Sequence, residues 1–180
     1  MASEGTAVTT AAPLVAWLGP TRFAFLAGAL LSLLGFALPW FRVSRGYAWW
    51  YGGWDLLTTN EPGLWWIAFL FLGYAILVVG GYWLLGQGAG EAALLAALAI
   101  ATALGTLVVV ALAAADAIQD LGRVYNIDLN LGLFLMLPGH GLMIAAAFFG
   151  VVIHLIAAFL SPGAAELAVA SPDSPEPAAD

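Results

Sequence analysis

Gly63–Leu85 reads GLWWIAFLFLGYAILVVGGYWLL and carries no Asp, Glu, Lys, Arg or His. About twenty apolar residues as helix span the ~30 Å hydrocarbon core of a bilayer. Inside a bilayer every backbone N–H and C=O must be bonded internally, so a spanning segment of this kind has to be a helix. No other feature of the chain narrows its folds so much. Similar runs recur, with expected spans at about 22–41, 63–85, 92–115 and 138–160. The chain is 63% hydrophobic and 8% charged, against ~45–50% and ~25% for a soluble domain. The expectation is an all-α membrane fold, a four-transmembrane-helix bundle.

The spans divide the chain. Residues 1–20 are expected to be a flexible tail, and "PLVAWLGP" within them a short interfacial piece. Residues 21–160 form the membrane domain, and 161–180, rich in Pro, Ala and acids, are expected to be disordered. Arg22 before an apolar run resembles a signal peptide, but no small-x-small cleavage site follows, so the run reads as an uncleaved helix. The fourth apolar stretch, Leu133–Leu160, is ~42 Å as helix, and Pro138-Gly139 is expected to kink it or start it afresh. The short "GQGAG" link makes spans two and three an antiparallel hairpin. The long connectors, 42–62 and 116–132, then share one side of the membrane, and both termini share the other.

The first long connector should meet water, yet it is aromatic. Pro39–Leu57 holds Trp40, Tyr47, Trp49, Trp50, Tyr51 and Trp54. Three readings are open. Trp and Tyr anchor at headgroups. "VSRGYAWWY", Gly52-Gly53 and "WDLL" also read as strand, turn, strand. Ile127, Leu129 and Leu131 alternate with Asp128 and Asn130 in the second connector, the period of a half-buried strand. Together the two loops would build a small β-strand cap. An exposed aromatic patch could instead contact a ligand or partner.

Small residues at spacing four let membrane helices approach closely. Gly28 and Ser32 in span one, Ala97, Ala101 and Gly105 in span three, and Gly150 in span four are the expected packing positions.

The ionisable residues are few. His140 and His154 stand 14 positions apart, which puts them on one face near opposite ends of span four. His140 is expected near the long-loop interface, paired with Asp55 or Asp116. His154 is expected inside the opposite boundary, with Tyr82, Thr102 or Ser32 as partner. Intramembrane histidine is a functional candidate by default. As cofactor-binding residues, His154 and His140 could ligate a haem or pigment or serve a quinone. The chain offers one histidine per level, so bis-histidine haem ligation would need a second subunit. Asp116, Asp120 and Arg123 share a face of a projecting helix end, and a solvated face explains them. Calcium binding by Asp116, Asp120 and Asp128 lacks EF-hand spacing.

Several classes are excluded or unsupported. The sequence has no cysteine, which removes disulfides and thiolate chemistry. Its four cations are all arginine, so no basic patch suits nucleic acid. No phosphate-binding Gly-Lys-Ser/Thr motif occurs, and no serine sits with His and Asp at one depth. No metal site and no resident cofactor are expected. The absence of lysine amid abundant Ala, Gly, Leu and Val fits a GC-rich bacterial genome, hence a bacterial plasma (inner) membrane.

Trp40, the "GLW" at Gly63-Leu64-Trp65, the four spans and the long first connector give a layout that resembles the claudin-like four-helix membrane proteins. It also resembles bacterial four-helix membrane proteins of unassigned function with "PW" closing helix one. The resemblance implies an outside first loop of strands, a third helix that projects beyond the membrane, and cytoplasmic termini. Here "GLW" opens span two, and the two cysteines of that family's first loop are absent. Three Arg on the long-loop side against one on the terminal side imply the opposite orientation. The expected role is non-enzymatic: an accessory or scaffold subunit or interaction module, touching the lipid bilayer and a membrane-protein partner or a second copy. The alternatives are a hydrophobic cofactor or lipid binder, and a small channel or carrier.

Overall fold

The structure, a computed structural model, describes residues 15–43, 50–58, 66–121 and 127–160. They form five helices and three short strands. In chain order these are α1 (Leu18–Ala37), β1 (Phe41–Val43), β2 (Trp50–Tyr51), α2 (Gly53–Thr58), α3 (Ile67–Leu84), α4 (Ala89–Leu121), β3 (Ile127–Leu129) and α5 (Leu131–Leu160). Four of them, α1, α3, α4 and α5, are long and apolar enough to cross a membrane.

The helix ends correct the expected spans. α1 begins at Leu18, so the end of the expected 1–20 tail is helical. Pro20 is tolerated there because the first-turn N–H groups have no helical partner anyway. α1 stops at Ala37, not near residue 41, because Leu38 is extended ahead of Pro39. α4 runs 33 residues, through Asp116 and Asp120 to Leu121, well into the expected loop 116–132. Arg123 and the side chains of Asp116, Asp120 and Asp128 lie outside what the structure describes. α5 is a single 30-residue helix with Pro138 inside it, so of the kink or fresh start expected there the fresh start does not occur. Its true start is set by Asn130, whose Oδ1 accepts from the Leu131 N–H at 2.8 Å.

The connectors meet at the end of α1. β1 lies between β2 and β3, antiparallel to both, with Phe41 opposite Tyr51 and Leu129. The pairing continues where Asn130 N–H donates to the Trp40 carbonyl (2.8 Å) and Gly132 N–H to the Pro39 carbonyl (3.0 Å). Each strand is two or three residues long. The expected return strand over Trp54–Leu57 is helical instead and forms α2. Trp40 is fully buried, and its Nε1–H donates to the Gly35 carbonyl at 3.1 Å.

Packing is tightest between α1 and α5. A Cβ on Gly28 would come 2.5 Å from Met143 N and 2.8 Å from the Gly139 carbonyl. A Cβ on Gly139 would lie 2.7 Å from Ser32 N, and one on Gly35 would strike the Met136 backbone. The two backbones touch along three turns, as small residues permit in lipid. On α4 the inward face is Ala92, Leu95, Ala99, Thr102, Ala103, Thr106, Val109 and Val110. Ala97 and Ala101, expected to pack inside the bundle, lie on the exposed face. The helix simply turns a neighbouring stripe inward. Gly105 faces Leu70 of α3, with Leu70 Cδ2 3.0 Å from where its Cβ would be, and Gly150 faces Leu85.

Candidate functional site

Three of the helices each place one polar side chain in the middle of the apolar bundle. The Tyr74 hydroxyl of α3 bonds His140 Nε2 of α5 at 2.6 Å and Thr106 Oγ1 of α4 at 2.8 Å. All three residues are buried: Tyr74 and Thr106 completely, His140 at 5% exposure. His140 lies ~13 Å and Tyr74 ~10 Å along their helices from the loop-side ends. In α3, which is 18 residues long, that depth is close to the middle.

A polar group in such surroundings has to be bonded or it costs several kcal/mol, roughly 2–7 depending on reference. The triad meets that demand at the Tyr74 hydroxyl, the Thr106 hydroxyl and His140 Nε2, though not at His140 Nδ1, with one consistent proton assignment. A neutral His140 protonated on Nδ1 accepts from the Tyr74 hydroxyl, which accepts from the Thr106 hydroxyl. Nδ1 interacts with the Met136 backbone one turn earlier without reaching hydrogen-bond geometry. The aromatic faces are filled too. Phe36 packs on Tyr74, Phe71 and Trp40 with ring centroids 5.5, 4.8 and 5.4 Å away, and the Tyr74 and His140 rings are 5.8 Å apart.

His140 therefore sits away from the helix end, bonded to Tyr74 and not to Asp55, while the side chain of Asp116 lies outside the described residues. The expectation failed because α5 starts seven residues before Pro138 and carries His140 to mid-depth. Asp55 lies in α2, where burial raises its carboxyl pKa above the ordinary value and a hydrogen bond with the Gly52 backbone partly offsets the rise.

His154 is bonded to none of Tyr82, Thr102 or Ser32. Its Nε2–H donates to the Leu85 carbonyl at 2.9 Å. A carbonyl only accepts, so the contact fixes the proton on Nε2. Leu85 closes α3, where carbonyls lack helical partners. Gly150, one turn earlier on α5, leaves room for the Leu85 side chain, so α5 grips this residue twice. Ser32 is completely buried against Gly139, and its hydroxyl has no partner.

The aromatic candidates scatter. Trp40 is core. Trp54 is 58% exposed and meets Phe71 edge-on at 6.3 Å. Trp50 and Tyr51 are placed by backbone alone, in β2, and Tyr47 and Trp49 lie outside the described residues. Among the described residues no three His, Asp or Glu side chains gather as a metal site would require.

Sequence reasoning missed Tyr74 and Thr106. The signal was present: each is a hydroxyl at mid-span, level with His140 once α5 is started at Asn130. It also missed Arg22 of α1, whose guanidinium lies 5.6 Å from the Tyr82 ring centre.

No protein-family model matches the chain, and neither the characterised proteins nor the solved structures contain a detectable relative.

Proposed function

We propose that this is a non-enzymatic integral membrane protein, an accessory or scaffold subunit that works by lateral association with a membrane-protein partner or a second copy. One observation carries the reading: both histidines are spent on internal bonds that tie helices together. Outward, α3 and α4 offer large apolar side chains, among them Phe69, Val79, Trp83, Leu94, Leu104 and Leu112. The finer parts of the reading are also ours. The two long connectors act as a small strand cap, supported by the pairing of β1 with both β2 and β3. The layout is claudin-like in architecture alone. The membrane is a bacterial plasma membrane with cytoplasmic termini, which single-cysteine labelling in this cysteine-free chain tests directly.

Native mass spectrometry of the gently solubilised, tagged protein tests the role. The expected result is a specific extra protein mass or a defined homo-oligomer. A bare monomer sinks the scaffold reading. A retained chromophore or quinone mass, lost in His154→Ala, replaces it with cofactor binding, because His154 would then have given up the Leu85 carbonyl.

A further inference from the structure

Arg22 is the one cation whose side chain the structure describes, and it has no protein counter-ion among the described residues. No carboxylate pairs with it, and none of its N–H groups donates a hydrogen bond to another described group. Its Nε is buried without a partner. Yet the side chain is held in place. Tyr82 of α3 lies under the guanidinium, and Phe23 supports Tyr82 edge-on at 5.7 Å. Gly86, in the turn between α3 and α4, leaves the space the guanidinium fills, since any Cβ there would collide with Nη2. The position is the start of the second turn of α1, level with the end of α3. With the four apolar helices crossing a bilayer, that end of the bundle falls at the headgroup boundary on the side of the termini. Trp17 and Trp83, 60% and 70% exposed, belong to the same end of the bundle.

Nε is enclosed, so the donors left for an outside acceptor are the two Nη groups, and a guanidinium fixed over a ring with these unspent is suited to an oxyanion. We propose that Arg22, seated on Tyr82 and Gly86, is a binding site for a phosphate group, supplied by an anionic phospholipid of the leaflet facing the termini. The site includes neither histidine, although His154 bonds the carbonyl of the adjacent Leu85, and it does not depend on the scaffold reading.

The test is retention of lipid by native mass spectrometry after equilibration in mixed micelles of phosphatidylglycerol and phosphatidylcholine. The wild type should retain phosphatidylglycerol with about fivefold preference, the factor given by roughly 1 kcal/mol for one Arg near an anionic surface. Arg22→Gln should abolish that preference, and Arg22→Lys should keep part of it, since charge persists but the fork does not. Gly86→Ala should lower it by displacing the guanidinium. Equal retention of the two lipids by the wild type, or an unchanged preference in Arg22→Gln, overturns the site. Millimolar inorganic phosphate forms the second arm. If it leaves retention unaltered, the lipid is the source. If it displaces the lipid and by itself stabilises the wild type but not Arg22→Gln, the lipid source is overturned in favour of free phosphate.

Discussion

The seam between α1 and α5 and the meeting of α3, α4 and α5 lie at the same depth but hold together by different means. In the seam Gly28, Ser32, Gly35, Gly132 and Gly139 bring backbone against backbone, and side chains are nearly absent. In the other region the contact is made by long side chains, and its centre is the Tyr74–His140–Thr106 chain. Lipid tails are as apolar as leucine, so burying apolar surface drives neither association. What remains is close packing on one side and polar bonding on the other. The seam tolerates no added atoms. The triad tolerates no missing ones.

Substitutions should separate the two regimes. The largest effect is expected from Gly139→Leu or Gly28→Leu, which force a side chain into space held by backbone. Overpacking typically costs about 1–3 kcal/mol, and here no flexible side chain can yield, so a loss at or above the top of that range is expected. Thermal unfolding in detergent reads it, and a tolerated leucine at either site would show that the seam is looser than described. Next comes His140→Leu, which leaves the Tyr74 hydroxyl one partner short, and Tyr74→Phe, which strands His140 and Thr106 together. A double-mutant cycle between the two should give a coupling of about 0.6 kcal/mol, up to ~1.7, the range for hydrogen bonds between membrane helices. A coupling of zero would mean the bond adds nothing beyond packing.

His154→Ala should cost less than His140→Leu. The Leu85 carbonyl it frees lies at a helix end, nearer to water than the triad. Amide exchange confined to the Leu85–Gly88 turn and the start of α4 is the expected signature, with the centre of the bundle unaffected. The smallest effect concerns α2. The Asp55 pKa is raised in the folded protein, so the fold binds its proton more tightly than the unfolded chain does. Stability from this group is therefore greatest below the ordinary carboxylate pKa and falls as pH rises through the raised value. Amide protection in α2 should rise slightly on acidification, and Asp55→Asn should remove that dependence.

The sequence made the spans legible because the membrane imposes a length and a composition, and both can be read without partners. Gly28, Ser32, Gly105 and Gly150 were visible for a related reason, since small residues at helical spacing stand out among leucines. Ala97 and Ala101 show where this breaks down. α4 has alanines on more than one face, and composition alone does not say which stripe turns inward. His140 was misplaced by an error of seven residues in one helix start, about two turns. Pro138 looked like a boundary, but inside an apolar bundle the neighbouring helices can hold a proline within a continuous helix. Partners across helices, such as Tyr74 for His140 and Leu85 for His154, depend on how three axes are arranged. One-dimensional periodicity does not carry that.

The unequal helices have a further consequence. α1 and α3 have 20 and 18 residues, while the apolar parts of α4 and α5 extend over 27 and 30. At ~1.5 Å per residue the first pair is about 27–30 Å tall and the second about 40–45 Å. One flank of the molecule therefore shows the annular lipid a tall wall, and the other shows it a short one. A bilayer of uniform thickness fits only one flank at a time. It must thin beside α1 and α3, swell beside α4 and α5, or let the bundle lean, each at a fraction of a kcal/mol per Å. With all four helices spanning, lipid on the two flanks would meet walls that differ in height by roughly 10–18 Å.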